Sequence, residues 1–280
     1  MKIKITTDSA CDLGGGLLER NGVTAVPLHV LKDGADHLDG VTVTPGDIFR
    51  HVERGGDLCT TAAVNVRDYE DCFGDLSARY DAVIHISIGS GFSSSFSNAC
   101  AAAQAYGNVR VVDSKNLSTG QGLLVLEAAE MARSGAGAEG ICARLGTLCG
   151  KVETSFLVSR LDYLRNGGRC SLAAALGANI LHLRPCIDVK DGKMQATKKY
   201  RGSFARCLEA YGKERLAGRE DILRDRAFIT YAEVPEPVLE AVRDAVREYG
   251  RFREVLETRA GCAVSCHCGP GTLGILFLRK

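Results

Sequence analysis

The rhythm of apolar and polar positions changes about halfway along the chain. In the first half, short apolar runs alternate with helical patterns. Residues 2–6 predict a strand, 13–21 a helix and 23–30 a second strand. Ala82–Ser87 and Val109–Asp113 are compact β-branched runs, followed by helical patterns over 93–105 and 119–133. Thr44-Pro45-Gly46-Asp47 is a helix start, with a capping hydroxyl, a first-turn proline and a carboxylate three residues on. Strand–helix alternation predicts an α/β unit built on a mostly parallel sheet flanked by helices.

The second half reads differently. Residues 155–159 predict a strand, and Asp191-Gly192 between two extended runs predicts a hairpin. Strands at 227–231 and 254–258 bracket an amphipathic helix at 237–249, and 273–278 is a last apolar strand. Hairpins mixed with helices predict an α+β domain with a mainly antiparallel sheet. The expected division is 1–152 and 153–280, with a ligand cleft between the two units.

Composition narrows the function classes. The 280 residues are 45% hydrophobic, enough for two packed cores. A net charge of +1, from 35 basic and 34 acidic residues, lacks the basic excess of a general nucleic-acid binder. No apolar run reaches the ~20 residues a bilayer crossing needs, and Met1-Lys2-Ile3-Lys4-Ile5 lacks the apolar stretch of a signal peptide. A cytoplasmic protein without membrane insertion is expected. The twelve cysteines are scattered without a C-x-x-C pair, which reads as reduced, small core residues.

The most informative stretch is Ile86-Ser87-Ile88-Gly89-Ser90-Gly91-Phe92-Ser93-Ser94-Ser95. A strand ends, two glycines loosen the backbone, and a helix is expected near Ser93. In an open parallel sheet, ligands gather at the carboxyl ends of the strands. A helix start adds unpaired N–H groups, so Ser93 and Ser94 fit either a helix cap or an anion site built from neutral donors. Thr60 and Thr61, in an expected loop before a helix near Val66, fit a turn or a further pair of hydroxyl donors. Asp8-Ser9 and Asp113-Ser114 end strands and read as turn-orienting pairs. Leu161 to Gly168 reads as a short helix ended by glycines, with Arg169 at the entry of a second helix capped by Ser171 and Arg201 beyond the hairpin. Cys266-His267-Cys268, read as extended, alternates its side chains between faces and cannot converge on a metal, so none is expected there.

In order, Thr7-Asp8-Ser9, Val26-Pro27-Leu28, Thr60-Thr61, Ser90-Gly91-Phe92-Ser93, Asp113-Ser114, Leu161-Asp162-Tyr163-Leu164 with Gly167-Gly168-Arg169, Arg184-Pro185 and His267 before Gly269-Pro270-Gly271 resemble the DegV family over nearly the whole chain. The resemblance implies a fatty acid buried between an α/β and an α+β domain. It implies that hydroxyls at Thr60 or Thr61 and at Ser93 bind the carboxylate, with His267 and Arg169 near the head group. Arg201 would help dock a partner fatty acid kinase, which brings ATP and magnesium and makes an acyl phosphate. The chain itself would be non-catalytic, with no cofactor beyond the bound acid. Two departures stand out: Ala62-Ala63 replace the family's Ser-Gln, and Ser94 replaces a glycine.

A rival reading is a serine hydrolase using Ser93 and His267, with Asp113 or Asp162 as the acid, in the order Ser…Asp…His. Against it, Gly91-Phe92-Ser93-Ser94-Ser95 lacks the second glycine of a nucleophile turn. A third is a regulator that binds a nucleotide or sugar phosphate.

Overall fold

The structure is a computed structural model and describes residues 1–170 and 183–280. The first half runs β1 (Ile3–Asp8), α1 (Gly14–Arg20), β2 (Thr24–Val26), β3 (His29–Lys32), β4 (Ala35–Leu38), α2 (Pro45–Glu53) and β5 (Thr60–Ala62). It continues with α3 (Val66–Ser77), β6 (Ala82–Ser87), α4 (Ser95–Ala103), β7 (Val109–Asp113), α5 (Ser118–Arg133) and α6 (Ala138–Leu148). The second half runs β8 (Val152–Val158), α7 (Asp162–Gly167), β9 (Leu183–Lys190), β10 (Lys193–Arg201), α8 (Phe204–Leu216) and β11 (Ile222–Ala232). It ends with α9 (Glu236–Ala245), β12 (Glu254–Arg259), α10 (Cys262–Cys268) and β13 (Thr272–Arg279).

Three sheets result. Strands β2-β1-β6-β7 form a parallel sheet. Strands β10-β9-β8-β13-β11-β12 form a second sheet, antiparallel except where β12 pairs parallel with β11. The fold is therefore α/β followed by an α+β domain with a mainly antiparallel sheet. Helix α5 lies between the two large sheets. Leu123 to Leu126 are all buried, in a cluster shared with Ile5 and Ile84 on one side and Phe228 and Leu276 on the other. A helical turn that is apolar all round suits such a position.

The third sheet, β4-β3-β5, is antiparallel and was not foreseen. Residues 23–30 do not make one strand. Pro27 has no N–H to give a ladder, so the chain leaves the parallel sheet at Val26 and begins a new sheet at His29. Thr60 and Thr61 lie not in a loop but on β5, opposite Leu31 and Val30.

Other local signals hold. Thr44 and Asp47 form a reciprocal capping box on α2. Asp191 and Gly192 take φ of 50° and 72°, which closes a two-residue hairpin between β9 and β10. Its tip sits against the first unit: a Cβ on Gly91 would lie 2.1 Å from the Gly192 carbonyl oxygen. Cys266-His267-Cys268 is helical rather than extended, because these residues end α10. The cap expected at Ser171 lies outside the described residues. Among the described residues no helix is long and apolar enough to cross a membrane, and no cluster of three acidic, histidine or cysteine side chains is arranged to hold a metal.

Candidate functional site

The carboxyl end of the parallel sheet is held by a buried polar network. Asp8 ends β1 and accepts from the Ile88 N–H at 2.7 Å, the Ser87 hydroxyl at 3.1 Å and the Gln121 amide at 3.0 Å. Burial nevertheless raises the Asp8 carboxyl to about 6. Asp113 accepts from the Ser90 backbone and hydroxyl and from the Lys115 N–H. Both aspartates orient turns, and together they shape the loop that carries Phe92 and Ser93.

Helix α10 arrives from the far end of the chain and is seated by two carboxylates of the first unit. Asp12 accepts the Gly261 N–H at 2.8 Å; Asp39 accepts those of Cys262 at 2.8 Å and Ala263 at 3.2 Å. Ser118 and Ser9 donate to the same carboxylates. These contacts satisfy the free N–H groups of the first turn. They set His267, near the helix end, against β5.

Between these elements lies a cavity lined by Ala10, Leu28, Ile88, Phe92, Leu117, Met194, Ala263 and Val264, together with Thr61, Ser93, Arg169 and His267. Its empty volume is about 540 Å³, open mouth included. A second apolar cavity, with about 340 Å³ empty, shares Leu117, Val264 and Cys268 and continues past Phe156, Ala260, Gly274 and Leu276. The two adjoin as an elongated, mostly apolar path, and in the second segment Ser118, Thr154, Thr230 and Thr272 spend their hydroxyls on hydrogen bonds within the protein.

The structure brings Thr61, Ser93, Arg169 and His267 together. Strand alternation turns Thr61 inward and leaves Thr60 exposed. Ser94 is exposed at the start of α4 and makes no side-chain cap. Arg201, exposed at the end of β10, lines none of this cavity. Arg169 reaches across the mouth, donating to the Gly167 carbonyl at 2.7 Å and the Phe92 carbonyl at 3.5 Å.

His267 Nε2 and Thr61 Oγ1 are 2.7 Å apart, and His267 Nδ1 is buried without a hydrogen-bond partner among the described residues. Burial, with the Arg169 charge adding to it, lowers the imidazole to about 4, so it is neutral at neutral pH. A buried orphan N–H is costly, and the Arg169 guanidinium donates to the carbonyl of Gly167, the residue beside Nδ1. The proton therefore belongs on Nε2, which donates to Thr61. Thr61 keeps its own O–H for the cavity.

Gly167 makes room for this ring: a Cβ there would lie 2.2 Å from His267 Nδ1. Gly167→Ala should cost about 1–3 kcal/mol, because the imidazole must leave Thr61. An unchanged urea midpoint would show that the ring has space to move.

Among the described residues no hydrolase triad is assembled. His267 Nδ1 has no carboxylate partner, Asp113 holds the Ser90 turn and Asp162 pairs with Arg160. A neutral imidazole lowered this far is also a weak base.

The α/β and α+β halves of the chain thus share a mostly apolar cavity with Thr61, Ser93, Arg169 and His267 in its lining. A family model described as uncharacterised protein, DegV family, matches residues 2–280, and the chain belongs to the DegV family. A DegV domain-containing protein of Caldanaerobacter subterraneus is 30% identical, over 100% of this chain and 99% of its own. A solved structure described as fatty acid binding of a DegV family protein from Thermus thermophilus matches with a TM-score of 0.90 at 32% identity, covering 100% of both chains. A stearic acid-binding protein from Eubacterium ventriosum matches with a TM-score of 0.84 at 26% identity, covering 99% of this chain and 98% of that one.

Proposed function

We propose that this protein binds one long-chain fatty acid along the apolar path, with its carboxylate held by Ser93 and by Thr61, which His267 orients, and presents that carboxylate to a partner fatty acid kinase. The observation that carries the reading is an elongated apolar cavity with the Thr61 and Ser93 hydroxyls in its first segment, whereas Ser118, Thr154, Thr230 and Thr272 in the second spend theirs on hydrogen bonds within the protein. Each methylene withdrawn from water contributes about 0.8 kcal/mol, so a C16 chain has an upper limit of roughly 12 kcal/mol before ordering costs. Neutral donors hold the anion without burying it in an ion pair, which leaves it reachable for phosphorylation. No cofactor is needed for this role.

The two units are taken as 1–152 and 153–280, in a cytoplasmic protein. Arg169 at the mouth and Arg201 on the outer surface are assigned to the head-group vicinity and to kinase contact. Thr60 and Ser94, both exposed, stay outside the proposed carboxylate shell.

Native mass spectrometry and organic extraction of the purified protein test the ligand class: a co-purified C14–C18 acid is expected. Ser93→Ala should weaken oleate binding by roughly tenfold while the protein stays folded, the loss of one hydrogen bond to a charged group. Unchanged affinity in a titration would remove Ser93 from the site.

A further inference from the structure

Ser95 is fully buried at the start of α4, behind the cavity wall and absent from its lining. A serine hydroxyl has one proton and two lone pairs. The Ser95 oxygen accepts the Val64 N–H at 3.2 Å. Its proton has one acceptor in hydrogen-bond geometry among the described residues, Ser93 Oγ at 2.9 Å. The Tyr69 hydroxyl lies close to both Ser87 and Ser95 but meets hydrogen-bond geometry with neither. Ser93 Oγ also accepts the Ser95 backbone N–H at 3.1 Å. Both lone pairs of Ser93 are thus occupied from behind by one residue. Its own proton can satisfy itself only in the cavity that Ser93 lines.

We infer that Ser95 is a positioning residue that locks Ser93 as an outward donor, so that the mouth selects a head group rich in lone pairs and refuses one that only donates. The inference rests on the carrier reading and deepens it. Thr61 is held in the same sense by His267. With two fixed O–H donors, a carboxylate finds partners, an alcohol adapts as acceptor, and an ammonium meets only competing donors.

The test is a titration of the whole protein with oleate, oleyl alcohol and oleylamine. The wild-type chain should prefer oleate to oleylamine. Ser95→Ala frees the Ser93 proton to turn away; it should lower oleate affinity by roughly five- to tenfold, leave the alcohol nearly unchanged and narrow the oleate-to-amine ratio. Ser95→Thr keeps the hydroxyl and should restore the ratio. Should the alanine variant fail to fold, Ser95→Cys keeps the bulk with a weak donor and should narrow the ratio in the same way. An unmoved ratio in a folded alanine or cysteine variant overturns the inference, as does an equal loss for all three ligands, which marks a packing defect. A wild-type chain that binds no oleate overturns the carrier reading itself.

Discussion

A tryptophan at position 264 should cut the usable length of the bound chain and abolish tight binding of C16–C18 acids while sparing C8. Val264 stands on α10 at the junction of the two cavity segments, shared with Leu117 and Cys268. It is only half-buried because it faces this space. An indole there fills an existing void, so the fold should tolerate it better than overpacking in a closed core. If it excludes about six methylenes, the loss is about 5 kcal/mol, several thousandfold in affinity. Octanoate lacks those outer methylenes and should lose little. The signature lies in the slope: wild-type affinity should climb with every methylene, while the variant should reach a plateau near C10. Calorimetric titrations with C8, C12 and C16 acids read both slopes. Parallel slopes would show that the chain takes another route out of the mouth.

Much of the scaffold was legible because its signals are local. The Asp191-Gly192 turn and the Thr44–Asp47 cap depend on residues within four positions of one another. The strands Ala82–Ser87 and Val109–Asp113 are continuous apolar runs, and their limits could be read directly. The elements that complete the site are different. Helix α10 has seven residues, several of them cysteines, and no capping side chain of its own. It is set by Asp12 and Asp39, more than 220 positions away in sequence. Read without them, Cys266-His267-Cys268 looked extended. Strand β5 is three residues with only one turned inward, too short for alternation to register. Once its pairing with β3 is known, Thr61 and Thr60 separate at once. Ser95 looked like the last of three serines; what singles it out is complete burial and the Val64 N–H, both products of tertiary packing. Helix α5 carries one unbroken apolar run, Leu123 to Leu126, yet nothing nearby in sequence says that a second sheet covers it.

Replacing His85 with glutamine should remove much of the protein's acid sensitivity. His85 lies in the middle of β6, fully buried, with its ring centroid 5.0 Å from that of Tyr69 and 5.5 Å from that of Phe73. Nδ1 meets the Thr6 hydroxyl at 3.0 Å, and Nε2 has no hydrogen-bond partner among the described residues. No carboxylate compensates a charge there, and burial lowers the imidazole from 6.5 to about 3. Between those values the unfolded chain holds a proton that the native ring refuses. The stabilisation is therefore complete above pH 6.5 and is lost as pH falls toward 3, to a limit of about 5 kcal/mol. Asp8 and Asp12 act in the opposite sense. Burial raises them to about 6 and 7, so the native state binds their protons first and gains stability as pH falls through that range. Both remain in the variant, so subtracting its stability curve from that of the wild type isolates the histidine. Glutamine does not titrate and still offers Thr6 a hydrogen-bonding partner. The difference in unfolding free energy, from urea melts at successive pH values, should shrink by several kcal/mol between about pH 6.5 and pH 4. A flat difference would mean that water reaches the ring, and that the core between α3 and β6, on which the Phe92–Ser93 loop rests, is not closed.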